Sequence, residues 1–262
     1  MAVTARTVEH EPLPGTAPEP GHEPETRFGV RIVLLAVAFL LVAGPFGFLV
    51  SQVTGNGRLV GSDKSTAESL HAWALGGSGR VSVLKAITFF GSGLWLFGLV
   101  GVAAAVLFIR RRPRLAIFLI TAAALGGIID SVVKGWVGRA RPVFAHPILV
   151  EPGKSFPSGH AMSSTVVYGA LALIVLPLVP RRARAVPVVL AVLLVGAIGF
   201  TRLALGAHYV TDVIGGYVLG GAWLSLATAA FTAWRRERTG VPVPLAEGLE
   251  PGVATPGRPD ID

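Results

Sequence analysis

Six apolar stretches, most of them long enough to cross a membrane, constrain this 262-residue chain more than any other feature. They cover residues 30–50, 83–109, 115–133, 161–179, 185–200 and 210–234. About 20 apolar residues span the hydrocarbon core of a bilayer as a helix. Within that core a single segment satisfies its backbone polar groups only as a helix. The fifth stretch reaches the required length only if its helix continues toward Leu205. Charged residues make up 15% of the chain, against about 25% in soluble domains, so too little polar surface remains to cover six such helices in water. The expected fold is all-α, a six-transmembrane-helix bundle over residues 27–238. Residues 1–26 and 239–262 are rich in proline and lack an apolar period, and they read as disordered tails. The chain has no cysteine, which excludes disulfides, thiolate metal sites and thiol nucleophiles.

A net charge of +8 would suggest nucleic acid as the partner of a soluble protein. Here the distribution of charge argues otherwise. Arg27 and Arg31 precede the first stretch, and Arg110, Arg111, Arg112 and Arg114 separate the second from the third. Arg181, Arg182 and Arg184 separate the fourth from the fifth, and Arg235, Arg236 and Arg238 follow the sixth. Six crossings put all of these on one side, which the positive-inside rule makes cytoplasmic, along with both termini. The loops 51–82, 134–160 and 201–209 then face outward. The first of them carries an apolar patch, Leu70, Trp73 and Leu75, that would suit an interfacial helix. Topology gives no reason for the outward cations Lys134, Arg141 and Arg202.

Those three cations belong to three polar segments at outward helix ends. If the third span stays helical to Pro142, Lys134 and Arg141 lie two turns apart on one face, suited to a doubly charged tetrahedral anion. Pro157-Ser158-Gly159-His160 opens the fourth span, where Ser158 is a favoured N-cap and Gly159 lets backbone approach a ligand. Helix-start amides bind anions, and a histidine in that first turn can exchange protons with whatever is bound. Arg202 is followed by His208 and Asp212, spaced i, i+4. On a helix that carboxylate fixes the imidazole tautomer and leaves the other nitrogen basic.

The pattern Lys134-x6-Arg141-Pro142, Pro157-Ser158-Gly159-His160, Arg202-x5-His208-x3-Asp212 resembles the type-2 phosphatidic acid phosphatase family, membrane lipid phosphatases that share a catalytic core with vanadium haloperoxidases. The resemblance implies that His208 attacks phosphorus, oriented by Asp212, and that His160 protonates the leaving oxygen. A phosphohistidine intermediate would then be hydrolysed. Lys134, Arg141, Ser158, Gly159 and Arg202 would hold the phosphoryl oxygens. Thr201 stands where the family usually has Ser, which keeps the hydroxyl but leaves its phosphate contact in question. The implied partner is a lipid phosphate in the membrane, such as undecaprenyl pyrophosphate, phosphatidic acid or phosphatidylglycerol phosphate, and not nucleic acid. Fixed cations would do the work of a metal, so no metal or other cofactor is expected. Competing readings are a phosphotransferase on the same scaffold and a transporter of phosphorylated lipid. Asp130 would tune Lys134 or neutralise a helix end. Arg139 and Lys154 read as solvated loop charges near the entrance, and His71 and His146 as ordinary loop histidines.

Overall fold

The computed structural model describes residues 43–239 apart from Asn56 and Arg58. Both expected tails, Arg27, Arg31 and most of the first apolar stretch lie outside the described residues. No strand occurs among those described. A first helix, α1, covers residues 43–54. It is followed by α2 (Leu59–Leu75), α3 (Arg80–Phe89), α4 (Gly93–Ile109), α5 (Pro113–Val137), α6 (Gly159–Val175), α7 (Ala185–Ala204) and α8 (Val210–Thr239). Among the described residues, five segments are long and apolar enough to cross a membrane: Arg80–Ile109, Pro113–Val137, Gly159–Leu178, Arg181–Ala204 and Val210–Trp234.

Two boundaries depart from the apolar pattern for visible reasons. The stretch 83–109 is two helices, because the chain turns at Phe90, Gly91 and Ser92, and the Ser92 hydroxyl caps α4 by accepting from Trp95 N at 3.4 Å. A Cβ at Gly91 would lie 2.5 Å from Ile198 Cγ2 and 3.1 Å from His160 Cδ2, so only glycine permits this corner to sit against α6 and α7. The fifth stretch does continue, as length required, to Ala204.

The centre of the packing is α6, which lies against α8, α7, α5 and α4. Phe118, Leu119 and Ala122 of α5 meet Val166, Ala170 and Ile174 of α6, and Trp223, Leu224 and Phe231 of α8 cover them. Close approach of α6 and α8 depends on small residues one turn apart. A Cβ at Gly216 would lie 2.7 Å from Ser158 O, and one at Gly220 would lie 2.9 Å from Met162 O. Large apolar side chains such as Leu94, Phe97, Val132 and Leu190 remain exposed around this core, a costly surface in water and an ordinary one in lipid. The loop 51–82 does hold a helix, α2. It buries Asp63, Ala67, His71 and Ala74 along one stripe and packs on α7 and α8. His71 is therefore a buried helical residue, stacked on Phe144 with centroids 4.0 Å apart, and not a loop histidine.

Candidate active site

The C-terminal ends of α5 and α7 and the N-terminal ends of α6 and α8 meet at one end of the bundle, and the three polar segments meet with them. Lys134 lies in the last turn of α5, paired with Asp130. A Cβ at Gly159 would lie 2.9 Å from Lys134 Nζ, which puts that ammonium beside the start of α6. Helix α5 does not run on to Pro142. Gly138 takes a left-handed conformation (φ 68) and its N–H bonds Lys134 O at 3.0 Å, ending the helix at Val137. Lys134 and Arg141 thus do not share a helix face. Arg141 returns to the site from the loop that follows.

Ser158 occupies the N-cap position of α6, yet its hydroxyl makes no capping bond. That buried oxygen has no partner among the described residues. Its backbone N–H bonds Asp212 O at 2.9 Å, tying the start of α6 to the start of α8. His160 is the second residue of α6, close enough to Arg202, Glu151, His208 and Lys134 to feel their charges.

His208 precedes α8 by two residues, while Asp212 lies in its first turn, so the two are not on one helix face although they do meet. His208 Nδ1 is 2.8 Å from Ser155 O and 3.5 Å from Asp212 Oδ2. A carbonyl can only accept, so Nδ1 carries the proton and Nε2 keeps its lone pair. The orienting contact expected from Asp212 is second to that of the Ser155 carbonyl. On the other side of the ring, Arg141 Nη1 lies 3.2 Å from Nε2. Burial holds the His208 imidazole below its ordinary pKa, against the opposing influence of Asp212.

Around that nitrogen lie Arg141 and Arg202. Arg202 is 1% exposed, bonds Thr88 Oγ1 at 3.1 Å and pairs with one oxygen of Glu151. Arg141 Nη1 reaches the other Glu151 oxygen at 3.2 Å and donates to Ala207 O at 2.9 Å. Burial alone would raise the Glu151 carboxyl, but Arg202 and then Arg141 hold it below the ordinary range. Thr201 gives its hydroxyl to Ile198 O at 2.5 Å, within its own helix, so the position where the family usually has Ser offers no free donor.

Sequence reasoning missed several residues here. Arg139, read as a solvated loop charge, has a side chain only 8% exposed and paired with Asp63 and Asp212. Lys154 is exposed, as a loop charge should be. Glu151, Ser155 and Asp63 carried no motif signal. The stripe of Asp63, Ala67, His71 and Ala74 at helical spacing was the one available hint for the last of these.

The profile of the PAP2 superfamily matches residues 114–236, which contain every residue of the three segments. Phosphatidylglycerophosphatase B of Bacillus subtilis (strain 168) is 33% identical over 141 residues, covering 53% of this chain and 68% of that protein. Undecaprenyl-diphosphatase of Sulfolobus acidocaldarius is 26% identical over 178 residues, covering 64% of this chain and 80% of that protein. Lipid A 1-phosphatase of Rhizobium etli is 35% identical over 156 residues, covering 53% and 61% respectively. The crystal structure of the transmembrane PAP2 type phosphatidylglycerolphosphate phosphatase from Bacillus subtilis superposes with a TM-score of 0.67 at 26% identity. It covers 74% of this chain and 94% of that one.

Proposed function

The chain belongs to the PAP2 superfamily, and from that premise we propose that it is an integral membrane phosphatase that hydrolyses a lipid phosphomonoester or pyrophosphate through a phosphohistidine. The observation that carries this reading is His208, with Nδ1 bonded to a carbonyl at 2.8 Å and an unprotonated Nε2 that accepts from Arg141 Nη1 at 3.2 Å. Nε2 attacks phosphorus, an N–P bond forms and the P–O bond to the lipid breaks. His160 gives its proton to the leaving oxygen. Water then attacks phosphorus and gives a proton back to His160, the N–P bond breaks and inorganic phosphate leaves.

Lys134, Arg141 and Arg202 balance the phosphoryl charge, with the Ser158 hydroxyl and the Gly159 amide as further donors. The unpartnered Ser158 Oγ and the Nε atoms of Arg141 and Arg202 support this, since each is a buried donor awaiting an acceptor. The incoming phosphate takes the place of the Glu151 carboxylate between the two arginines. The names of the relatives keep phosphatidylglycerol phosphate and undecaprenyl pyrophosphate beside phosphatidic acid as candidate substrates.

Six spans over residues 27–238, with both terminal tails cytoplasmic and the site on the outer face, complete the reading. The basic loops between α4 and α5 and between α6 and α7 join the helix ends opposite those that carry the site, and a cytoplasmic place for them under the positive-inside rule supports an outward site. A transporter site would lie near the midplane, whereas these polar groups gather at one mouth.

The test is phosphate release by the purified protein from those three lipids, beside His208→Ala. The variant should lose roughly 10³-fold or more of kcat. Unchanged release would remove His208 as nucleophile, and release from none of the lipids would remove the phosphatase reading. A reporter fused after Trp234 should be cytoplasmic, and an outside signal there would invert the topology.

A further inference from the structure

Two groups face His208 Nδ1, the Ser155 carbonyl and the Asp212 carboxylate, and both are held by a single residue. Arg139 Nη1 donates to Asp212 Oδ1 at 2.5 Å, and Arg139 O accepts from Ser155 N at 2.9 Å. The guanidinium is itself fixed on three sides. Its Nη2 donates to Asp63 Oδ2 at 2.8 Å, Nη1 also donates to Thr211 Oγ1 at 2.7 Å, and its carbon lies 4.2 Å from the centroid of the Tyr209 ring. Asp63 comes from α2, far away in sequence, and is 3% exposed. Its carboxylate also accepts from Thr211 N at 3.1 Å and from the Thr211 hydroxyl. Apart from the Arg139–Asp63 pair itself, the bonds of this cluster end on Thr211, on Asp212 or on the loop that presents Ser155.

A buried ion pair of this kind is a poor source of stability, because desolvating both charges offsets most of their attraction. It is a good source of fixed geometry, since a fully bonded network has one arrangement. No side-chain hydrogen bond or ion pair joins Asp63 or Arg139 to the Arg141–Glu151–Arg202 cluster. We propose that Asp63 and Arg139 are positioning residues of the phosphoryl-transfer site: Asp63 anchors the Arg139 guanidinium, and Arg139 sets both groups that orient His208. This rests on His208 being the nucleophile. Helix α2 is thereby a working part of the site and not merely a cover on the membrane surface.

The test is Asp63→Asn, which keeps the shape and removes the charge, with Arg139→Lys beside it, which keeps the charge and loses the fork. Both are assayed on the full-length protein with phosphatidylglycerol phosphate and phosphatidic acid in detergent micelles. Each should lower kcat by about 10- to 100-fold with KM within about threefold, because orientation is lost and phosphate contacts are not.

The pH profile separates positioning from mere support of the fold. The charged and titratable groups around His208 are Asp212 from α8, Arg202 from α7, Arg141 from the loop and His160 from α6. His208 must be neutral to attack, so kcat/KM rises with pH through a pKa that burial holds below the ordinary imidazole value. In Asp63→Asn the Arg139 charge is balanced by Asp212 alone, which weakens the hold of Asp212 on an imidazolium. The limb then moves lower still. Its position does not depend on how much of the variant folds. A limb that stays in place, with or without lost kcat, overturns the proposal. If His208→Ala is inactive while Asp63→Asn behaves as wild type, only the positioning role falls. If His208→Ala turns over normally, the nucleophile reading falls first.

Discussion

The two ends of α7 are built by opposite rules. From Val186 to Leu193 its valines and leucines stand exposed, with Leu190 at 61% and Val192 at 64%. From Ile198 to Ala204 the helix buries Gly199, Thr201 and Arg202. In water the first part would be a liability and the second a puzzle. In a bilayer the exposed half needs only to be apolar, and its exact side chains carry little information. The buried end encloses a guanidinium whose partners, Glu151 and Thr88, come from a loop and from α3. Selection for a span and selection for a site thus act on different thirds of one helix.

Substitution at the buried end should cost the most. Arg202→Ala removes a cradle cation and leaves Glu151 to Arg141 alone, and kcat/KM should fall by about 10²- to 10³-fold. Arg202→Lys should recover little of this, because an ammonium cannot reach Thr88 and a phosphate oxygen with two fixed donors. Activity of Arg202→Ala within threefold of wild type would break the contrast drawn between the two ends. A smaller effect, of opposite sign, is expected one residue removed from it. Glu151→Gln frees the two arginines from a competing carboxylate, so inorganic phosphate should inhibit roughly 3- to 10-fold more tightly, about 1 kcal/mol. Weaker inhibition would mean that Glu151 serves to hold the arginines in place. The least effect belongs to the lipid-facing end, where Val192→Ala should leave phosphate release within about twofold. A larger loss there would show that this face packs against something other than lipid.

How much of this was legible beforehand follows the same division. Runs of apolar residues mark the spans because the bilayer imposes length and polarity on each one separately, as for α5 and α6. Lys134, Arg141, Ser158, His160, Arg202, His208 and Asp212 stood out because three short segments concentrate them. What stayed hidden depends on chain meeting chain. Nothing near Asp63 or Glu151 reveals that a guanidinium waits across the fold, and Arg139 looked solvated because its partners lie 73 and 76 residues away. Local detail also misled where two local signals competed. Pro142 is a sound helix stop, but Gly138 stops α5 four residues sooner. Thr201 keeps a hydroxyl, but its own helix carbonyl claims it.

The loop after α5 is closed at its base. Ser155 N bonds Arg139 O at 2.9 Å and Ser155 Oγ bonds Ala140 O at 3.0 Å, so chain entering and leaving the site is clasped together. The stretch 143–150 beyond that clasp can lengthen at little entropic cost, since loop closure grows only with the logarithm of length. That loop can vary while the clasp keeps the residues at its base in place. The geometry of the clasped base and the make-up of the loop beyond it are thereby separable.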